Sequence, residues 1–390
     1  MLPPPAVLAS VESAPLEIRE TVVTQTFPLL PYVFFDSASA ALRSRYRGND
    51  ATEQFSELEL PKQTLPIYYR MLDIVGARMG RERGAVLVVT GATDGAEAGN
   101  ASANRTLAQQ RAQSVVDYIR TRWNLPADRF KIRVADKPTL SSNEAYAEGV
   151  EENRRVELSS NVGAVLDPVV HTRFNEYVPV QPRHDFIVRV TDPEQAAGWD
   201  LNVAHNSRSV GTKSGSSVPP STVSFNLSQE MTNQLGPVVG TVDTLDAHLH
   251  VLNTSNGTVH AETRFPLIKS VSNFEVSRLS LIVFDFDRSD ISEQNKEMMR
   301  RVVRSSTRAG SVATIVGSTD RLGELKHNLS LSSQRATSVE QFVRSISPQL
   351  SISEVKGIGP AVLPYSNDLP EGRFYCRTVS LTITTPLRER

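Results

Sequence analysis

The sequence predicts an α+β protein in which two segments of mixed strands and helices are separated by an all-β segment. Towards both ends of the chain, short apolar runs alternate with stretches of helical periodicity, which is typical of helices packed on a sheet. Between residues 163 and 275 helical periodicity is absent, and short runs of period two are separated by loops rich in Ser, Gly and Pro. This middle pattern predicts a β-sandwich of the immunoglobulin type.

The first mixed segment is predicted to follow the order β-α-β-α-β with a final strand. β-Branched and apolar runs predict its strands, at residues 21–27, 29–35, 85–90, 130–134 and 154–158. Apolar residues at helical spacing predict one helix that begins at Pro66, a residue suited to a first helical turn, and a second helix over 104–123. A polar insert at about 46–65 follows the second strand, and residues 137–152 are predicted to be a loop.

The middle and last segments are predicted in the same way. Period-two runs in the middle lie at residues 186–190, 199–203, 223–227 and 247–251, with residues 207–221 as a loop. In the last segment, strands are predicted at 279–286, 312–316, 352–355 and 379–383, and helices at 291–303 and 331–345. His248 and His250 lie on one side of a strand with His260 as the only nearby third ligand, which favours a solvent-facing pair over a metal site. No metal and no cofactor are predicted.

Composition excludes several classes of function. The 390 residues carry 42 basic and 43 acidic side chains, and the net charge of −1 gives no cationic excess for nucleic acid. No run approaches the roughly 18 apolar residues of a transmembrane helix. There is no P-loop, no His-Glu-x-x-His and no nucleophile elbow, so no enzyme is predicted. The single cysteine, Cys376, excludes an internal disulfide and is expected to be a packed thiol in a buried strand.

One stretch of the last segment has the residue types of a ligand site. Gly317-Ser318-Thr319-Asp320 ends the 312–316 strand, and Arg335 lies in the first turns of the helix predicted to follow. A carboxylate can hold an ammonium, a guanidinium can hold a carboxylate, and a first helical turn adds N–H donors. The set matches a zwitterion such as the end of an amino acid. The alternative is a structural Asp–Arg pair at a strand–helix corner.

The same pattern occurs earlier in the chain. Gly91-Ala92-Thr93-Asp94, with Asn104 and Arg111 after it, repeats the order of the later stretch, in which Asn328 lies between Asp320 and Arg335. The two aspartates are 320 − 94 = 226 residues apart, which predicts two copies of one domain rather than a solenoid.

The repeated pattern G-x-T-D, Asn, L-x-x-x-R-A resembles the OmpA-like peptidoglycan-binding domain family. In that family the Asp and the Arg hold the diaminopimelate of the cell-wall stem peptide. The resemblance implies binding residues in the second copy, namely Asp320, Arg335, Asn328, Thr319, Asp285 and Arg377. It implies a second site in the first copy, formed by Asp94, Arg111, Asn104, Thr93, Asp36 and Arg154.

Each copy departs from the family pattern. In the first copy Asp94 and Arg111 are 111 − 94 = 17 residues apart, against 335 − 320 = 15 in the second, so its loop has two extra residues. The closing strand of the family usually reads N-R-R-V-E, as residues 153–157 of the first copy do, whereas the second copy reads Cys376-Arg377-Thr378-Val379 and keeps only one of the two arginines. We expect the second copy to be the better ligand site.

The resemblance also implies a domain order and a location. The expected parts are a Pro-rich linker (1–15), an OmpA-like domain (16–162), an immunoglobulin-like sandwich (163–275), a second OmpA-like domain (276–386) and a tail (387–390). The expected partners are peptidoglycan and other envelope or outer-membrane proteins. The expected location is the periplasmic side of a bacterial envelope, with outer-membrane association through a part of the protein outside this chain.

Two functions follow from these expectations. The first is a non-catalytic protein that anchors an envelope assembly to peptidoglycan. The alternative is a structural spacer or docking protein in which one or both copies have lost the ligand.

Overall fold

A computed structural model describes residues 8–49, 51–235, 240–255, 257–281, 284 and 289–387 of the chain. The chain divides into two compact units, one of residues 1–23, 173–275 and 387–390, and one of residues 24–172 and 276–386. The second unit contains both copies of the repeated pattern, named here the first repeat (24–172) and the second repeat (276–386). No helix in the described ranges is long and apolar enough to cross a membrane.

The elements are numbered in chain order. The strands are β1 Ala9–Ser13, β2 Leu16–Phe27, β3 Tyr32–Phe34, β4 Leu87–Gly91, β5 Phe130–Val134, β6 Arg155–Ser160, β7 Val169–Pro179, β8 Arg183–Val190, β9 Ala196–His205, β10 Arg208–Gly215, β11 Thr222–Asn226, β12 Val242–Asn253, β13 Thr258–Leu281, β14 Val312–Gly317, β15 Ser351–Gly357 and β16 Val379–Pro386. The α-helices are α1 Thr64–Tyr69, α2 Met71–Arg81, α3 Ala101–Trp123, α4 Ala147–Asn153, α5 Gln229–Gln234, α6 Glu293–Ser306, α7 Leu325–Ile346 and α8 Pro370–Cys376. Short 3-10 helices cover Ser44–Tyr46, Thr52–Gln54, Glu57–Glu59, Ala127–Arg129, Gly163–Leu166 and Pro193–Gln195.

The unit of residues 1–23 and 173–275 is built of antiparallel strands. One of its sheets has the order β1-β8-β11, and in the other β10, β9, β12 and β13 are neighbours. One cluster of buried apolar side chains, which includes Phe186, Leu249 and Phe265, draws on both sheets. Strands that bury alternate residues on one shared core are what period-two runs predict. The immunoglobulin arrangement stays a prediction.

Two segments of this unit differ from the prediction. Ala9–Ser13, expected as linker, is strand β1 and pairs with β8, because Val11 points inward and is buried. The expected loop at 207–221 contains β10, a mostly exposed polar strand that pairs with β9 alone. Polar strands of this kind lack the apolar alternation that sequence patterns detect.

The histidines of β12 lie beside acidic residues. The Nδ1 of His248 is 3.7 Å from Glu262, and the Nδ1 of His250 is 3.3 Å from Asp200. The rings of His250 and His260 meet edge to face, with centroids 4.6 Å apart. Within the described ranges no group of three or more His, Cys, Asp or Glu residues is arranged to hold a metal.

The two repeats have the same strand order in their sheets. The first repeat has the order β3-β6-β4-β5, and the second has β13-β16-β14-β15. In both, the central strand pairs in parallel with one neighbour and antiparallel with the other. The mixed α+β class predicted from the sequence is confirmed.

A glycine ends the central strand of each repeat because the long helix crosses there. A Cβ on Gly91 would lie 1.8 Å from the carbonyl oxygen of Ala108 in α3. A Cβ on Gly317 would lie 2.1 Å from the carbonyl oxygen of Ser332 in α7. No other residue allows this approach. The first position of the G-x-T-D pattern is therefore set by helix–sheet packing.

The helices that follow begin earlier than predicted. Helix α7 begins at Leu325, so Arg335 is ten residues inside it (335 − 325), close to three turns. Arg111 is also ten residues inside α3 (111 − 101). The prediction that first-turn N–H groups of the helix surround the arginine is therefore wrong. The first turn instead contains Asn328 in one repeat, where a loop position was expected, and Asn104 in the other, where the predicted helix begins.

Two short helices also replace predicted loop or strand. Helix α4 lies where residues 137–152 were expected to be a loop, and α8 precedes the closing strand. Cys376 is fully buried, but it is the last residue of α8 rather than part of a strand. Burial raises the pKa of its thiol, which keeps the group protonated.

Helix α8 of the second repeat packs into the core of the first. Phe374 and Tyr375 belong to the cluster of buried apolar residues around β3, α2 and β4. The Tyr375 hydroxyl donates to the carbonyl of Pro28 at 3.0 Å and accepts from the N–H of Leu30 at 3.1 Å. The two repeats therefore share a core.

Candidate functional site

A cavity of about 480 Å³ lies between the two repeats. This volume is in the range of small-molecule sites, about 300–1,000 Å³. Side chains from the second repeat that line it include Phe284, Thr319, Asp320, His327, Asn328, Arg335 and Arg377. Those from the first repeat include Tyr32, Leu140, Ser142, Asn143, Tyr146 and Glu152.

Asp320 is held at the cavity by a turn and an arginine. The strand β14 ends at Gly317, and the buried carboxylate of Asp320 follows three residues later. Its Oδ1 accepts from the N–H of Leu322 at 3.0 Å, and its Oδ2 accepts from Nε of Arg377 at 2.5 Å. A charge-assisted contact of this kind fixes the orientation of the carboxylate.

Arg335, Asn328 and Thr319 lie near Asp320 along the same wall. The guanidinium of Arg335, 2% exposed, lies 4.9 Å from the ring centre of Phe284, a cation–π contact. The Nδ2 of Asn328 donates to the carbonyl of Leu322 at 2.8 Å, so Asn328 shapes the loop that carries Asp320. Thr319 is buried, and its hydroxyl donates to the carbonyl of Asp320 at 3.0 Å. The predicted residue Asp285 lies outside the described residues.

The first repeat reproduces the aspartate end of this arrangement. The Oδ1 of Asp94 accepts from the N–H groups of Ala96 and Glu97, and its Oδ2 accepts from Nε of Arg154 at 2.7 Å. Burial disfavours the charge, but the backbone N–H groups and Arg154 prevail and lower the pKa of Asp94. Asn104 holds the loop from the helix side, donating to the carbonyl of Gly95 at 2.8 Å.

The arginine end of the first repeat is occupied by a side chain of the protein. Glu97 binds Arg111 through both oxygens, at 2.5 Å from Nη1 and 2.7 Å from Nη2. The other donors of Arg111 go to the carbonyls of Ser39, Ala92 and Asp36. Arg111 and Glu97 are 0% and 1% exposed. The site that the pattern predicts here is therefore closed by an internal carboxylate.

Two further predicted residues of the first repeat have local roles. The side chain of Asp36 is 68% exposed and pairs with Arg43 at 2.6 Å, while its carbonyl is what contacts Arg111. The Thr93 hydroxyl donates to the carbonyl of Asp136 at 2.7 Å. Neither side chain faces Arg111 as a ligand-binding group would.

A buried glutamate of the first repeat completes the cavity. Glu152 of α4 is 0% exposed and accepts from Nε of Arg373 at 2.6 Å, from Nη2 of Arg377 at 2.5 Å and from the hydroxyl of Ser142 at 2.5 Å. Burial disfavours its charge, but Arg377 and Arg373 outweigh burial and lower its pKa below the ordinary 4.5. Arg377 therefore bridges Asp320 of one repeat and Glu152 of the other.

The sequence located the aspartates and arginines but not the two glutamates. A signal for Glu97 was present, since it is the only charged residue between Asp94 and Asn104 in a loop with two extra residues. Glu152 carried no comparable signal, because its arginine partners are more than 200 residues away in the chain.

The comparisons with known proteins cover limited parts of the chain. No family model matches it. Outer membrane protein A of Bordetella avium is 34% identical over 105 residues, which is 26% of this chain and 52% of that protein. The photosystem I P700 chlorophyll a apoprotein A2 of Gloeobacter violaceus is 35% identical over 111 residues, which is 27% of this chain and 13% of that protein. The match thus spans about half of one relative and a small part of the other.

The structural neighbours are OmpA-like and MotB-like domains that match at low overall similarity. The peptidoglycan-associated lipoprotein of Burkholderia pseudomallei is 20% identical, with 27% of this chain and 88% of that chain covered and a TM-score of 0.24. The periplasmic domain of Helicobacter pylori MotB is 17% identical, with 30% and 79% covered and a TM-score of 0.25.

Proposed function

We propose that this chain is a non-catalytic protein of the bacterial envelope that binds peptidoglycan through the diaminopimelate of the stem peptide. The observation that carries the proposal is that Asp320 and Arg335, the two residues the repeated pattern predicts, line one cavity of ligand size. The pattern itself and the match to Outer membrane protein A support the class of ligand.

The proposed mechanism is charge pairing at a zwitterion. The ammonium of diaminopimelate binds the carboxylate of Asp320, and its carboxylate binds the guanidinium of Arg335. Asn328 holds the loop between them, and Phe284 supports the face of the guanidinium. The charged groups of the ligand lose their hydration when they pair with these buried side chains, so single-site affinity is modest and a polymeric wall gains from many copies of the protein.

We assign the first repeat a structural role, in line with the alternative in which one copy has lost the ligand. Glu97 fills the position that a ligand carboxylate would take on Arg111. The first repeat thus keeps the fold and the contacts of Asp94, but the guanidinium of Arg111 is already bound by Glu97. It serves as a scaffold for the cavity, and the second repeat binds the ligand.

The proposed organisation follows the sequence pattern. The two OmpA-like domains, expected at 16–162 and 276–386, are proposed at 24–172 and 276–386, and the immunoglobulin-like sandwich, expected at 163–275, is proposed for the unit that contains residues 173–275. The protein lies on the periplasmic side of the envelope, in association with the outer membrane. No cofactor takes part.

The test is co-sedimentation with purified peptidoglycan of the diaminopimelate type. Asp320→Asn is compared with Asp94→Asn, a matched control that weakens the same kind of Asp–Arg contact in the closed repeat. We expect Asp320→Asn to leave the protein in the supernatant while Asp94→Asn pellets like wild type, with melting curves recorded for both. Equal behaviour of the two variants at equal stability would refute the assignment of the site.

A further inference from the structure

The cavity has a second wall, and that wall belongs to the first repeat. Leu140, Ser142, Asn143, Tyr146 and Glu152 face the same space as Asp320 and Arg335. We infer that the ligand site of the second repeat is composite, with Glu152 setting the charge at its ammonium end and segment 140–146 contacting the peptide beyond diaminopimelate. This inference rests on the proposed function.

Counting charges shows what Glu152 contributes. Asp320 and Arg377 alone form a neutral pair, which would attract an ammonium weakly. Glu152 binds the same guanidinium, at 2.5 Å, so the three groups carry −1 together. The second arginine on Glu152, Arg373, is balanced by Glu151 at 2.8 Å. Because attraction rises as the local dielectric falls, one net charge inside a cavity affects ligand affinity strongly.

The first repeat shows the same network with a different acid. Arg154, which occupies the position of Arg377 after the short helix, binds Asp94 at 2.7 Å and lies 3.7 Å from Glu97. In the first repeat the second acid is Glu97 of the repeat's own loop, and Glu97 also binds Arg111. In the second repeat the second acid is Glu152, which belongs to the first repeat and binds Arg377. The arginine Arg377 is thus balanced while the cavity stays open.

The segment 140–146 has the chemistry of a peptide-contacting wall. Leu140 and Tyr146 are among the exposed large apolar residues of the chain, at 39% and 38%, although both face the cavity. Asn143 adds amide groups suited to a peptide backbone. A half-exposed aromatic beside a polar pocket is a frequent contact for a ligand chain. Segment 140–146 is therefore placed to contact a peptide and has no comparable role with a free amino acid.

The test measures binding by calorimetry with three probes: free diaminopimelate, the tripeptide L-Ala-D-Glu-diaminopimelate, and the same tripeptide acetylated on the side-chain amine. Glu152→Gln should weaken the unmodified tripeptide on the order of tenfold, about 1.4 kcal/mol, and the acetylated form at most about twofold. Glu152→Asp should restore part of the loss. Glu151→Gln is the comparison for position: Glu151 pairs with Arg373, and its side chain is 28% exposed, so solvent screens its charge and its loss should weaken binding less than the loss of Glu152.

The outcomes separate the two proposals. If wild type binds neither diaminopimelate nor the tripeptide, the proposed function fails. If wild type binds and Glu152→Gln weakens both tripeptides equally, Glu152 only supports the fold and the charge argument is overturned. Tyr146→Ala should weaken the tripeptide several-fold and leave free diaminopimelate unchanged. An unchanged tripeptide affinity in Tyr146→Ala would overturn the role of segment 140–146.

Discussion

Replacing Glu97 should convert the closed site of the first repeat into one that accepts a small carboxylate. Glu97→Ala removes the methylene and carboxylate that bind Arg111, which keeps only the carbonyls of Ser39, Ala92 and Asp36 as acceptors. The atoms removed correspond to those of acetate. A buried arginine without its acid is a costly state, so acetate or a diaminopimelate carboxylate should bind there and restore stability.

The magnitude follows from the burial of the pair. Breaking a buried ion pair by removing one partner costs about 3–5 kcal/mol. For a folded unit of this size, each kcal/mol shifts the melting temperature by about 2–4 °C, so Glu97→Ala should melt about 6–20 °C below wild type. Acetate at ten times its dissociation constant should stabilise the variant by RT ln 11, about 1.4 kcal/mol, which raises its melting temperature by about 3–6 °C.

The assay is a melting curve with and without acetate for wild type, Glu97→Ala and the control Glu59→Ala. Glu59 is an exposed acid of the same repeat, so its loss should change little and acetate should not matter. Chloride at equal ionic strength excludes a general salt effect. A Glu97→Ala protein that melts like Glu59→Ala, or that is destabilised but indifferent to acetate, would refute the reading of Glu97 as a substitute for the ligand.

Two other predictions concern the stability of the second unit. Folding lowers the pKa of Glu152 and of Asp94, so their stabilisation is complete above their ordinary values of 4.5 and 3.8 and is lost as pH falls below these. Urea unfolding from pH 6 to pH 3 should show this loss, and Glu152→Gln should make the slope shallower, whereas an identical slope would contradict the role of Glu152. Gly317→Ala places a methyl group 2.1 Å from the Ser332 carbonyl and should cost about 1–3 kcal/mol, whereas Gly80→Ala, with open space in α2, should gain about 0.5–1 kcal/mol. Equal unfolding free energies for the two alanine variants would contradict the packing argument.

How much of the fold the sequence could predict depends on the range of the interactions. The strands of the two repeats and the long helices could be predicted because apolar periodicity is local, and Gly91 and Gly317 mark the points where helix and strand meet. Strand β1 could not be predicted because its partner β8 is distant in the chain, and β10 could not because it is polar and lacks apolar alternation. The predicted start of α7 is six residues late (331 − 325), because Lys326, His327 and Asn328 are polar and the two leucines that flank them, Leu325 and Leu329, are exposed rather than part of the core face. Helix α4 is short and polar, so its residues have no apolar periodicity that would predict a helix rather than a loop.

The residues of the candidate site also differ in how far the sequence could predict them. That Asp320 and Arg335 line one cavity could be predicted because the order of Asp, Asn and Arg occurs twice in the chain, although the spacing differs between the copies. Their role in binding stays a prediction. The closure of the first repeat could be predicted only in part, since two extra residues indicate a changed loop but not that Glu97 turns inward onto Arg111. Glu152 could not be predicted at all, because its role arises from the packing of one repeat on the other.

The contacts of the two repeats account for why, in the proposed function, one repeat is closed and the other binds the ligand. In each, an arginine after a short helix must bind the site aspartate and needs a second acid to balance its buried charge. The first repeat draws that acid from its own loop, and the acid reaches Arg111 and closes the site. The second repeat draws it from Glu152 of its neighbour, so its own loop stays short and its cavity open. On this argument the closed repeat is part of the binding site, and a Glu152→Gln variant should lose ligand affinity although every predicted ligand residue is intact.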